Sequence, residues 1–219
     1  MSVAHKTLGL IGMIALVAIA EVGYAVQSMP TQFDYRFWTL LIIAVGTARL
    51  KVKLPGINGN MSVSLPFLLI AGAQLGMVAA LLVALSSCAV QCLPRRGRPQ
   101  PLRMIFNMST MALAVASASL VGIRFGLPGA TGCFFFAQTV LVAAIIRVTE
   151  GGAFRKTWSS LAHYSFPFYV LSAGIASIVR SSTQSGWLVP MIVLTALYAI
   201  YRSYQSYFRE PGMVPSAQE

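Results

Sequence analysis

Long apolar runs broken by short polar stretches fill this chain. Their spacing predicts eight membrane segments, at about 7–27, 37–49, 62–73, 77–93, 104–124, 129–147, 161–180 and 186–203. Turn residues, charges or both mark the breaks. Residues 55–60 (PGINGN) read as a plain turn and residues 94–101 (PRRGRPQP) as a rigid basic loop. Gly126-Leu127-Pro128-Gly129 closes another short turn, and Ser181 to Gly186 the last. Residues 150–160 (EGGAFRKTWSS) do not span. Phe154 and Trp158, with Arg155 and Lys156 between them, predict a short interfacial turn whose rings lie among lipid headgroups.

The run from Met61 to Leu93 is too long for one ordinary span and too short for two full ones. Charge decides it. As one helix, it would put Arg49, Lys51 and Lys53 on the opposite side from Arg95, Arg96, Arg98 and Arg103. A break near Gln74-Leu75-Gly76 puts both clusters on one side. The resulting map leaves only Arg36, Arg124 and Arg180 outside, of 16 Lys and Arg in all. Such asymmetry orients the chain with both termini in the cytoplasm. His5 and Lys6, an apolar stretch and Ala18-Ile19-Ala20 also fit a cleaved signal peptide. Against cleavage, the apolar run continues past Glu21 through Val26, and the downstream sidedness is the same either way.

Composition agrees with the pattern. Hydrophobic residues make up 57% of the chain and charged residues 10%, where a soluble domain carries about 25%. Mean hydropathy is +0.73. The net charge of +11 would suggest nucleic acid in a soluble protein, but here the basic residues sit between spans, where they encode topology. The expected fold class is an all-α integral membrane bundle over residues 1–208 with a short, disordered tail over 209–219, in a bacterial inner membrane. Cys88, Cys92 and Cys133 lie in apolar segments without metal or redox spacing and read as packing residues.

The third segment is the odd one. About twelve residues cannot cross some 30 Å as a helix rising 1.5 Å per residue. It must be partly extended, re-entrant or shielded, and its Ser62-Val63-Ser64-Leu65-Pro66-Phe67 alternates before breaking at proline. Discontinuous segments often mark ligand sites; an inert packing element is the other reading. Ser64 and Gln74 are the polar candidates there. Glu21 is the only acid well inside a span, and either pairs with Arg124 or Arg180 in the outer half or marks the boundary of a shorter first span. Asn107 serves as an N-cap or an interhelical hydrogen-bonder, and His163, Tyr164, Ser165 and Tyr169 give the seventh span its polarity. No phosphate-binding, zinc-hydrolase or nucleophile-elbow motif occurs, and the five acids are scattered. An enzyme is not expected, nor is a cofactor, a metal or a nucleic-acid partner.

Residues 45–93, with a basic residue, a Pro-Gly turn, a polar alternating stretch and a Leu-Gly break, are followed by a basic loop and then Arg103 to Val115 (RMIFNMSTMALAV). This order resembles the multi-spanning, MASE-like sensor domains that precede HD-GYP or GGDEF output domains. The tail YRSYQSYF resembles the connector to the catalytic domain, but Arg209-Glu210-Pro211-Gly212 follows and no output-domain residues appear. The resemblance implies an orphan sensor or scaffold that signals to a separate cytoplasmic protein or a homodimer partner. The helix pattern is also similar, more faintly, to the substrate-binding subunits of vitamin-type transporters. Tyr198, Tyr201, Tyr204 and Tyr207 recur every three residues on the last helix. Interface anchoring accounts for Tyr198 and Tyr201 and less well for Tyr207, about 9 Å beyond Tyr201, which suggests a partner surface of Tyr201, Tyr204 and Tyr207.

Cysteine labelling in a background without native cysteines is expected to find positions 97 and 216 cytoplasmic and positions 31 and 185 external. External labelling at position 97 overturns the map.

Overall fold

The computed structural model describes residues 3–28, 33–53, 60–62, 64–93 and 100–181. They form six helices: α1 (Val3–Ser28), α2 (Tyr35–Thr47), α3 (Leu65–Gln74), α4 (Met77–Cys92), α5 (Pro101–Glu150) and α6 (Phe154–Ser181). One short antiparallel ladder joins β1 (Lys51–Lys53) to β2 (Asn60–Ser62), with Lys51 opposite Ser62 and Lys53 opposite Asn60. Within α1 (His5–Gln27), α5 and α6 the helices are long and apolar enough to cross a membrane; α2, α3 and α4 are shorter apolar helices. Leu16, Ile19, Ile42, Ile123, Phe166 and Ile178 all point outward. Large apolar side chains on so many outer faces fit a lipid solvent, not water. The predicted segment 186–203 lies outside the described residues.

α5 is not one rod. At Gly126 the backbone leaves helical space (φ 65°, ψ −161°). A straight helix would hold residues 122 and 130 about 12 Å apart along its axis, yet a Cβ built on Gly122 would lie 3.2 Å from the Ala130 Cβ. Farther from the bend, Phe106 and Leu113 of the first arm share one cluster with Leu141 and Ile145 of the second. The two arms therefore fold back on each other about Gly126.

α3 and α4 make the same turn. The Leu75 N–H donates to the Ala71 carbonyl at 2.8 Å, closing α3. Gly76 then reverses the chain at φ 87°, ψ 176°, a region open essentially to glycine alone. A Cβ on Gly72 would lie 3.8 Å from that of Ala80. The two reversals are also alike in sequence: residues 72–80 read GAQLGMVAA and residues 122–130 read GIRFGLPGA. Gly151, between α5 and α6, takes this conformation a third time (φ 79°, ψ −162°).

The α3–α4 hairpin is the centre of the molecule. Every residue from Ser64 to Ala71 is buried, and α3 packs on α2, α4, α5 and α6 while α4 adds α1. That answers how a ten-residue helix survives in lipid: protein surrounds it, and β2 supplies the extended part of the segment. Pro66 starts the helix instead of breaking it, because the first turn has no use for its missing N–H. α2 begins at Asp34, whose Oδ1 accepts from the N–H groups of Arg36 (3.1 Å) and Phe37 (3.2 Å). Buried hydroxyls are satisfied within their own helices: Thr110 donates to the Phe106 carbonyl at 2.6 Å, and Ser165 and Ser172 to those of Leu161 and Phe168, both at 2.7 Å.

Residues 154–158 are the first turns of α6 instead of a short turn, and Phe154 and Trp158, both half-buried, pack on the cluster of Ala143 and Leu161. The Trp158 indole N–H donates to Thr139 Oγ1 at 3.2 Å.

Gly76→Ala and Gly126→Ala are each expected to lower stability in detergent by about 1–3 kcal/mol, the cost of forcing a Cβ into that region. Gly132→Ala, at a helical position with open space around it, is expected to be neutral or to stabilise by about 0.5–1 kcal/mol. Thermal unfolding of the three variants checks this.

Candidate functional site

The hairpins sort the bundle into two ends. At one, Gln91 Nε2 donates to Ser64 Oγ (3.4 Å) and Asn107 Nδ2 to Cys92 Sγ (3.6 Å), tying together the start of α3, the end of α4 and the start of α5. Ile11 and Ile14 of α1 join Phe106 there, and the β1–β2 ladder leads into it. The helix ends and strands gathered at this end carry Lys6, Arg49, Lys51, Lys53, Arg103, Arg147, Arg155 and Lys156. At the other end are the two glycine tips, the start of α2 and the end of α6, with Arg36, Arg124 and Arg180.

A cavity of about 230 Å³ opens at this second end, between the two hairpins. Its walls come in pairs that occupy matching places in the two hairpins: Leu68 with Ala118, Leu69 with Ser119, Gly72 with Gly122, Ala73 with Ile123, and Ala80 with Ala130. Gly126, Leu127, Val115 and Phe134 complete the apolar lining. Among the described residues, Arg180, from the last turn of α6, is the one charged residue that lines it. Gly122 matters most to the shape, since a Cβ there would lie only 3.2 Å from that of Ala130, whereas one at Gly72 would meet Ala80 at an ordinary contact distance of 3.8 Å. Phe134 and Phe135 lean on Tyr169, with ring centroids 6.0 and 5.1 Å apart, and so fix α6 against the second hairpin. Such a concave site, with mostly apolar side chains, polar groups also open to it and one placed charge, is suited to binding a small molecule.

No family model, curated protein or solved structure matches this chain. The site must be read from its own geometry.

Of the residues singled out from sequence, only Arg180 lines the cavity. Gln74 and Arg124 are exposed at matching positions of the two tips, beside the lining residues Ala73 and Ile123. Ser64 is buried at the opposite end with Gln91 as its partner. Asn107 is no N-cap, since α5 begins at Pro101, and it acts as the interhelical donor to Cys92. Tyr201, Tyr204 and Tyr207 lie outside the described residues.

Of the two readings of Glu21, the pairing with Arg124 or Arg180 is not seen among the described residues. No ion pair joins it to Arg124 or Arg180, both exposed at the tip end, and its Oε2 is buried without a hydrogen-bond partner. Glu21 shares the Ile14, Ala18 and Ala25 face of α1, which turns to the protein interior. Gln138, missed from sequence, also buries an unpartnered oxygen, its Oε1. It is the only amide side chain within residues 129–147, a signal that was open to reading. The cavity itself was signalled by the repeated glycine pattern, which the segment count passed over.

With no pair present, the stability losses of Glu21→Gln and Arg180→Gln are expected to add within about 0.5 kcal/mol in a double-mutant cycle. Coupling of several kcal/mol would show that the two charges meet.

Proposed function

We propose that this chain is a bacterial inner-membrane binding module that captures a small ligand in the cavity between its glycine-tipped hairpins and reports occupancy to a cytoplasmic partner. The observation that carries the reading is the cavity, with its matched apolar walls and the guanidinium of Arg180. The gathering of basic residues at the far end supports an orientation with that end in the cytoplasm and the cavity facing out. Eight segments then cross or enter the bilayer: α1, α2, α3 with β2, α4, the two arms of α5, α6 and residues 186–203. Both termini are cytoplasmic. The role is binding, not catalysis, and it agrees with the resemblance to MASE-like sensor domains.

A transport component is the second reading. It is favoured by one observation, the two like hairpins that start from the same end. Parallel repeats of this kind build several transporters, with the substrate held between them. In either case the ligand enters from the tip end.

The partner distinguishes the two. Crosslinking in native membranes is expected to join the chain to a signalling protein, where an ATPase module would favour transport. Truncation after Ser203 is expected to leave insertion and folding intact and to abolish the crosslink, because Tyr204 and Tyr207 form part of the proposed contact. Wild-type crosslinking by the truncated chain would reduce the tail to an anchor.

A further inference from the structure

Resting on that reading, we propose that the occupant is a small amphiphilic monoanion: an apolar body with one carboxylate-like group, held by Arg180. The walls have the selectivity of an apolar pocket. The side chains of Leu68, Leu69, Val115, Leu127 and Phe134 offer no hydrogen bond, and among the described lining residues Ser119 brings the only side-chain hydroxyl. Arg180 supplies the only charge among them, and none of them is an acid that would neutralise it.

Nor does Arg180 find an acid elsewhere among the described residues. Asp34 caps α2, and Glu21 makes no ion pair. A guanidinium near the edge of a bilayer favours an anionic partner and presents a planar fork that fits a carboxylate or phosphate with two parallel bonds. Its place in the last turn of α6 has a simpler use, since a cation there complements the helix dipole. That accounts for a basic residue at the helix end. It does not account for one that lines a cavity with no acid among its described lining residues.

Size narrows the ligand further. An apolar cavity of about 150 Å³ holds benzene, so about 230 Å³ corresponds to on the order of ten non-hydrogen atoms on the same scale. A medium-chain or aromatic carboxylate fits. So does the anionic head of a membrane lipid with the first part of its tail. Both share the chemistry of one anion on an apolar stem.

The test uses the full chain in nanodiscs of zwitterionic lipid, with radiolabelled octanoate as the probe, octanol as its uncharged counterpart, and empty discs subtracted. Octanoate is expected to bind saturably and at least tenfold more tightly than octanol. Arg180→Gln removes that preference, Arg180→Lys keeps part of it, and Ala73→Phe, which blocks the half-buried cavity wall, abolishes binding of both probes. Equal binding of octanoate and octanol, both blocked by Ala73→Phe, overturns the anion assignment while the cavity stands as a binding site. No saturable binding of either probe overturns the cavity reading itself. Repeating the assay in discs of anionic phospholipid identifies the source. Loss of octanoate binding assigns the site to a lipid head, and undiminished binding assigns it to a soluble anion.

Discussion

A helix that must reverse inside a membrane protein can leave very few backbone groups unpaired, because lipid offers no replacement for a lost hydrogen bond. Here the reversal is compressed into a single glycine at Gly76 and again at Gly126, each at positive φ with ψ near ±170°. The preceding helix bonds its last N–H groups inward, and the next helix begins at once. Much of the architecture follows from this. The arms must lie against each other, so small residues face each other across the bend: Gly72 with Ala80, and Gly122 with Ala130. Association of helices in lipid depends on such close packing, since the apolar solvent supplies little hydrophobic drive.

Among the described residues the apolar helices and the breaks at Gln74-Leu75-Gly76 and at Gly126 were legible in the sequence, the first break from charge. Run length and basic clusters report how often a chain meets the membrane and little else. They do not report which face of a helix meets protein. A soluble helix marks its buried face by contrast with polar residues, but in lipid both faces are apolar. The burial of α3 on all sides and the packing of Phe154 and Trp158 on Ala143 and Leu161 were therefore hidden. Pro66 misled for a related reason: proline breaks a helix in its middle and opens one at its start, and the alternation before it suggested the former.

The candidate site was partly legible. Arg180 was marked as an outer-half charge, and Gln74 and Arg124 were marked one by one without their equivalence being seen. Reading 72–80 against 122–130 would have paired them. The supposed Glu21 ion pair failed because it was argued from depth alone. Two groups at one depth in a bundle meet only if their helix faces also meet, and Glu21 lies on the α1 face that turns to the protein interior, while Arg124 and Arg180 are exposed.

Two like hairpins build a cavity whose walls are nearly symmetric, and a symmetric pocket has no reason to orient a ligand. α6 breaks the symmetry in two places. Arg180 brings charge to the mouth, and the Tyr169 ring packs on Phe134 and Phe135, both of the second hairpin. In the proposed reading an anion drawn to Arg180 is thus bound between α6 and the paired hairpins, and its binding energy acts across that boundary. A ligand shifts a conformational equilibrium only as far as it contacts the two states differently. The contacts that can differ are those of Arg180, because the glycine-tipped hairpins are fixed by their own backbone geometry while α6 is held to them by side chains. After α6 the chain runs on into the last predicted segment and the tyrosine-bearing tail. The element that carries the charge at the mouth is the element that leads toward the proposed partner.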